Sequence, residues 1–260
     1  MSNKKGIKIN QLLRSQPYGV VFLSSWLTRQ GYSLNLQQRY KKSNWLKSIG
    51  TGAMIRSGDK VGYEGAIYAL QQQSVLNIHP GGKTALGLLG KIHYLEFSSR
   101  NVIIFSGNNE KLPLWLLKHQ WGVEMNYYNT SFLPVDSGLV TIELKTFTIK
   151  ISSAARALME CLYLAPIHQE LLECYELMVG LNNLRPNLVQ DLLEQCKSVK
   201  VKRLFIYMAD KANHNWFYDL NLDKIDLGSG KRSLAKNGTY IPKYLITVPK
   251  ELGEDSGQNI

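Results

Sequence analysis

Apolar positions along this chain follow two periods, and they are most sharply ordered before residue 58. Ile9, Leu12 and Leu13 recur at helical spacing within IKINQLLR, so residues 7–14 are expected to form a short helix. Pro17, Tyr18 and Gly19 end it, and the apolar run from Val20 to Leu23 then reads as a short strand. Ser24 to Gln30 is a second amphipathic segment, followed by a turn at Gly31, Tyr32 and Ser33. Ser33 is a good N-cap for a third helix from Leu34 to about Ser43, because its hydroxyl accepts from a free first-turn amide. Two short apolar runs around Gly50 to Gly52 have the pattern of a β-hairpin, and the Val20–Leu23 run is placed to pair with it. Helix, Gly-containing turn, helix, hairpin is the layout of a winged helix-turn-helix over residues 1–58.

Past residue 58 the pattern is mixed. Tyr63 to Gln73 reads as a helix with Ile67 and Leu70 inward. A turn at His79 to Gly82 leads into another helix over Lys83 to Leu89. Strand-like runs occur at Val102–Phe105, Val123–Tyr128, Val140–Leu144 and Phe147–Ile151, with a short helix at Leu112–His119 among them. From Ser152 the chain turns helical, first with Ala154, Leu158 and Leu162 at four-residue spacing. Gln169–Leu181 follows, then Pro186–Cys196, whose Pro sits in the first turn where its missing N–H costs nothing. Val199–Ala209 fits either a strand or a helix, and a helix from about Lys202 is favoured. Tyr244–Val248 is strand-like, and the polar tail after it is expected to be disordered. The class is α+β, with an N-terminal winged helix-turn-helix (1–58) followed by a larger mixed α/β C-terminal domain (59–260).

Charge sharpens the boundary. Of the net +11, all but one unit lies before residue 59, where ten Lys and Arg face no Asp or Glu. Asp59 is the first acid, flanked by Gly58 and Gly62. So local an excess is the footprint of a nucleic-acid binder. A membrane-surface reading needs a long basic amphipathic helix, and the segment has none. On a 3.6-residue period Leu36 and Tyr40 share the inward face of the third helix, while Asn35, Gln38, Arg39 and Lys42 share another. Asn, Gln and Arg carry the paired donors and acceptors that fit purine edges in the major groove. Arg39, Lys41 and Lys42 also suit phosphate, and the hairpin adds Lys47, Thr51 and Arg56. The candidate DNA-binding residues are Ser33, Asn35, Gln38, Arg39, Lys41, Lys42, Thr51 and Arg56.

Other chemistry is sparse. Gly82, Lys83 and Thr84 resemble the end of a phosphate-binding loop, but the position that needs glycine is Asn77, and a helix start is the simpler reading. Asp136, Glu143 and Lys145 have the residue types of a metal-dependent nuclease site. Asp136 lies in a turn, however, and Glu-x-Lys is common on exposed strands. Cys161, Cys174 and Cys196 have no ligand spacing and read as buried free thiols, and the five histidines are scattered. No metal, cofactor or catalytic residue is expected. Lys197, Lys200, Lys202 and Arg203 cluster, and Lys231 and Arg232 follow in GSGKRSL, a set that would suit an acidic protein or RNA if it forms one surface. The longest apolar runs are too short to span a bilayer and no signal peptide is seen, so a cytoplasmic location is expected.

The long stretches GVVFLSSWLTRQGYSLNLQQRYKKSNWLKSIGTGAMIR, YEGAIYALQQQ and IHPGGKTALGLLGKIHYL resemble the N-terminal region of AbiEi-type antitoxins. The stretch from LRPNLVQDLLEQC through NGTYIPKYLITVPKEL resembles that family's antitoxin domain. These are the antitoxin and transcriptional-regulator halves of type IV abortive-infection toxin–antitoxin systems. The resemblance implies a winged module that binds inverted repeats in its own promoter and represses the operon. It also implies a C-terminal domain that counters a nucleotidyltransferase-type toxin encoded alongside, without a stable complex. By position it assigns DNA contact to Asn35, Gln38, Arg39, Lys42 and the wing near Thr51. For the antitoxin surface it offers Lys231 and Arg232, with Lys200, Lys202 and Arg203 beside them. The rival readings are a metal-dependent nuclease with a DNA-binding module and a plain ligand-sensing transcription factor.

Overall fold

Ile9 and Leu12 turn one face of the first helix into an apolar stripe, and that stripe is what docks it. The computed structural model describes residues 3–91, 101–107 and 110–253, and in it α1 (Asn3–Ser15) buries both side chains. β1 (Val21–Leu23), α2 (Ser24–Arg29), α3 (Leu34–Lys42), β2 (Leu46–Gly50) and β3 (Ala53–Arg56) follow. The strands form one antiparallel sheet in the order β1-β3-β2, with Val21 opposite Ile55 and Leu46 opposite Arg56. The apolar lead-in therefore pairs with the wing. Ile9, Leu12, Phe22, Leu27, Tyr40, Leu46 and Met54 meet in one core. Burying a large apolar side chain stabilises by roughly 1.5–3 kcal/mol, and this cluster holds helices and sheet together.

α4 (Tyr63–Gln73) closes the free edge of that sheet. The Leu23 amide donates to Gln73 Oε1 at 2.8 Å, and Gln73 Nε2 donates to the Val21 carbonyl at 2.8 Å. One carboxamide thus does for β1 what a neighbouring strand would do. Arg29 in turn donates to the Gln73 carbonyl at 2.5 Å.

Next come β4 (Ile78–Pro80), α5 (Gly82–Leu88), β5 (Asn101–Ser106), α6 (Leu114–Lys118), β6 (Glu124–Asn129), β7 (Leu139–Glu143) and β8 (Thr148–Ser152). β4, β5 and β6 form a sheet in that order, β5 and β6 running parallel, and β7 pairs with β8. The described residues fall into two compact units. One is drawn from Met1–His79, Arg100–Asn129 and Thr141–Ile151, the other from Pro80–Ser99, Thr130–Val140 and Ser152–Ile260.

The second unit is built on α7 (Ala154–Leu164), against which α5, α8 (Leu171–Val179), α9 (Pro186–Gln195) and α10 (Val199–Lys211) pack. Ser153 caps α7 by accepting from the Arg156 amide. β9 (Arg232–Ser233), β10 (Thr239–Ile241), β11 (Ile246–Val248) and the short α11 (Lys250–Gly253) complete it, with sheet order β10-β11-β9. Two expectations are corrected. α10 is a helix from Val199, not Lys202, capped by Ser198; every residue from Val201 to Ala209 is buried, so neither period shows in its sequence. Of Tyr244–Val248 only Ile246–Val248 is strand, because Pro242–Tyr244 forms a 3-10 turn and Leu245 takes a left-handed conformation. The tail expected to be disordered lies, beyond Gly253, outside the described residues.

Candidate nucleic-acid interface

The turn between α2 and α3 is set by backbone bonds. The Tyr32 amide donates to the Leu27 carbonyl and the Gly31 amide to Thr28, both near 3 Å, a pattern that needs a left-handed residue at Gly31, where φ is +82°. Ser33 then caps α3, its Oγ accepting from the Leu36 amide. At the other end Trp45 and Asn44 donate back to Tyr40 and Lys41, with Asn44 at φ +55°.

Between these ends α3 is divided by exposure. Gln37 and Tyr40 are buried and Leu36 is half-buried, while Asn35, Gln38, Arg39 and Lys42 are exposed along one line and Lys41 is half-exposed beside them. No carboxylate pairs with Arg39, Lys41, Lys42 or the wing's Lys47 among the described residues. Thr51 is exposed at the wing tip, where Gly52 takes φ +83°. The wing is braced from below: a Cβ on Gly50 would lie 2.7 Å from Trp115 Cβ of α6.

Gln37 was not among the sequence candidates, yet it holds the motif together. Its Nε2 donates to Tyr32 O (2.7 Å), Thr28 Oγ1 (3.1 Å) and Ser24 O (3.2 Å), and its Oε1 accepts from Ser24 Oγ at 2.6 Å. A single buried carboxamide ties α2, the turn and α3 into one body. A polar residue amid the inward positions Leu36 and Tyr40 was the available signal.

Arg56 stands apart from this face. It is only 7% exposed, its Nη2 donates to the Leu13 and Gln16 carbonyls at 2.6 and 3.2 Å, and its guanidinium lies 3.8 Å from the Tyr18 ring centroid. It satisfies carbonyls orphaned at the end of α1 instead of facing phosphate. The basic cluster of α10 is likewise inside. Lys202 is 4% exposed and Arg203 1%. Lys200 donates to the Tyr163 and Ala165 carbonyls at 2.7 and 2.5 Å, and burial pulls its ammonium below the ordinary lysine value. Of that expected surface Lys197, Lys231 and Arg232 are exposed.

The remaining candidates resolve plainly. Gly82 begins α5, but its amide donates to Glu160 Oε2 at 2.9 Å, so a buried carboxylate occupies the place a phosphate would need, and Lys83 pairs with Glu173 at 2.5 Å. Asp136, Glu143 and Lys145 are exposed, and no group of three His, Cys, Asp or Glu is placed to hold a metal among the described residues. The three cysteines are buried and free. Burial pushes Cys174 up to about 12 and Cys196 up to about 11. No described helix is long and apolar enough to cross a membrane.

Comparison with known proteins adds to this geometry. The solved structure of the RV2827C protein from Mycobacterium tuberculosis aligns with a TM-score of 0.54 and 13% identity, over 92% of this chain and 89% of that one. At that identity the likeness is one of fold. Comparison with curated proteins gives no match. Residues 5–97 match the family model described as the N-terminal domain of the AbiEi antitoxin transcriptional regulator, and residues 99–249 match the model described as "Transcriptional regulator, AbiEi antitoxin, Type IV TA system". The chain belongs to the AbiEi family of antitoxins and transcriptional regulators of type IV toxin–antitoxin systems.

Proposed function

We propose that residues 1–58 read the protein's own promoter DNA and repress its operon in the cytoplasm, while residues 59–260 counter a nucleotidyltransferase-type toxin. One observation carries the first half: Asn35, Gln38, Arg39 and Lys42 form an unpaired, exposed line on a helix whose opposite side is clamped by Gln37 and Tyr40. Arg39 and Gln38 suit base edges, and Lys41, Lys42 and Lys47 suit flanking phosphates. Of the candidate antitoxin-surface residues Lys200, Lys202, Arg203, Lys231 and Arg232, the last two are the ones exposed to offer a partner their charge.

The test is binding of the full chain to its upstream duplex and to a scrambled duplex across a salt series. With about six phosphates contacted, log affinity falls against log salt with a slope of about −5. Arg39→Ala lowers discrimination between the duplexes by about 1–3 kcal/mol. Equal binding to both duplexes, or an Arg39→Ala protein that binds and discriminates as before, overturns the reading.

A further inference from the structure

The loop from Gly228 to Arg232 is exposed throughout, yet its backbone is oriented from beneath by a buried cation. Arg203, 1% exposed, donates Nε to the Leu227 carbonyl (2.8 Å), Nη2 to Gly228 (3.0 Å), and Nη1 to Gly230 and Leu245 (2.6 and 3.2 Å). In a trans peptide the N–H points opposite to the C=O. With the carbonyls of Gly228 and Gly230 drawn inward, the amides of Ser229 and Lys231 are turned away from Arg203, and neither makes a hydrogen bond among the described residues. Gly228 and Gly230 take φ of +62° and +75° on either side of Ser229, the alternation that makes a concave row of amides.

Charge converges on the same place. Arg232 Nη1 bends back to the Lys231 carbonyl at 3.2 Å and lies 3.7 Å from where a Cβ on Gly230 would be. Lys231 Nζ is held 4.8 Å from the Tyr240 ring centroid. Among the described residues neither cation has a carboxylate partner, nor does Arg203. The acid at the start of the loop, Asp226, is engaged by the Gly228 amide at 2.8 Å. A buried guanidinium held by carbonyl dipoles and not cancelled by a carboxylate leaves positive potential above the loop, where an anion is favoured.

We propose that the Ser229–Arg232 loop binds a phosphate group, with the Ser229 and Lys231 amides and the Lys231 and Arg232 side chains as donors. Two amides and two cations suit a tetrahedral dianion better than a singly charged, planar carboxylate. Arg203 acts as a positioning residue, since it holds the carbonyls that orient the amides. The site stands whether or not α3 reads DNA.

The test is titration of isotope-labelled full-length protein with pyrophosphate, read from backbone amide shifts. Saturable shifts centred on Ser229 to Arg232 are expected. They weaken by roughly tenfold or more in affinity in the Lys231→Ala/Arg232→Ala protein and persist in an Arg39→Ala/Lys42→Ala protein. A nucleoside triphosphate and a single-stranded RNA pentamer, titrated likewise, separate a free nucleotide from a polynucleotide backbone as the source of the phosphate, and either one moving the loop supports the assignment. Shifts that are no larger here than elsewhere, that survive the double substitution, or that hexaglutamate reproduces at equal concentration overturn it; the last would make the loop an acidic-protein surface.

Discussion

Replacing Gln37 tests whether the orientation of α3 depends on one side chain. Gln37→Ala removes two short hydrogen bonds, to Ser24 Oγ (2.6 Å) and Tyr32 O (2.7 Å), and two longer ones, to Thr28 Oγ1 (3.1 Å) and Ser24 O (3.2 Å). A net hydrogen bond contributes about 0.5–1.5 kcal/mol, and the half-buried partners recover part of the loss through water. The expected destabilisation of the motif is therefore about 2–3 kcal/mol. Because the chain has two compact units, a global melt mixes contributions, and hydrogen exchange of the α2 and α3 amides is the direct assay. Their protection should drop by roughly thirty- to a hundredfold, since each 1.4 kcal/mol is a factor of ten. Gln37→Glu provides the sharper contrast. It keeps an acceptor for Ser24 Oγ but aims a carboxylate at the Tyr32 and Ser24 carbonyls, so it should be worse than Ala despite its near-identical shape. Protection in Gln37→Ala within about 0.5 kcal/mol of wild type, the usual range for surface substitutions, or a Glu variant as stable as the parent, refutes the clamp.

Three further outcomes follow from the packing. Glu160→Gln leaves Arg156 without its buried counter-charge (2.9 Å) and should lower stability to denaturant by about 3–5 kcal/mol; a loss below about 1 kcal/mol contradicts the pairing. Gly50→Ala puts a Cβ 2.7 Å from that of Trp115 and should cost about 1–3 kcal/mol. Adding Trp115→Gly, which removes that Cβ, should then show a coupling energy in a double-mutant cycle, and strict additivity would exclude the contact. Native protein at pH 8 should not react with a thiol reagent, because burial holds Cys174 and Cys196 well above that pH and raises Cys161 too; rapid labelling before unfolding would count against their burial.

How much of this was legible differs by kind of residue. The winged module was readable in order and, apart from α1 starting at Asn3 and not Ile7, nearly to the residue, because each step had a local cause. Ile9 and Leu12 share a helical face, Gly31 permits the turn, Ser33 caps, and Thr51–Gly52 closes the hairpin. The exposed line on α3 followed from the same period. The candidates that failed were cations. Arg56, Lys202 and Arg203 count toward net charge wherever they sit, but each is buried.

By itself the sequence determined the elements, their order in the module, the uneven charge and the face of α3 that stays polar, since propensity, period and capping act over a few residues. Only the tertiary structure decided which polar groups are used up in building the fold. Gln37, Gln73, Arg56, Glu160 and Arg203 are matched to backbone groups or side chains whose separation in sequence is mostly large, from Gln37 and Ser24 at 13 residues to Glu160 and Gly82 at 78. The physical reason is that a hydrogen-bonding side chain is specified by where its partner arrives, and chain folding, rather than local pattern, delivers that partner.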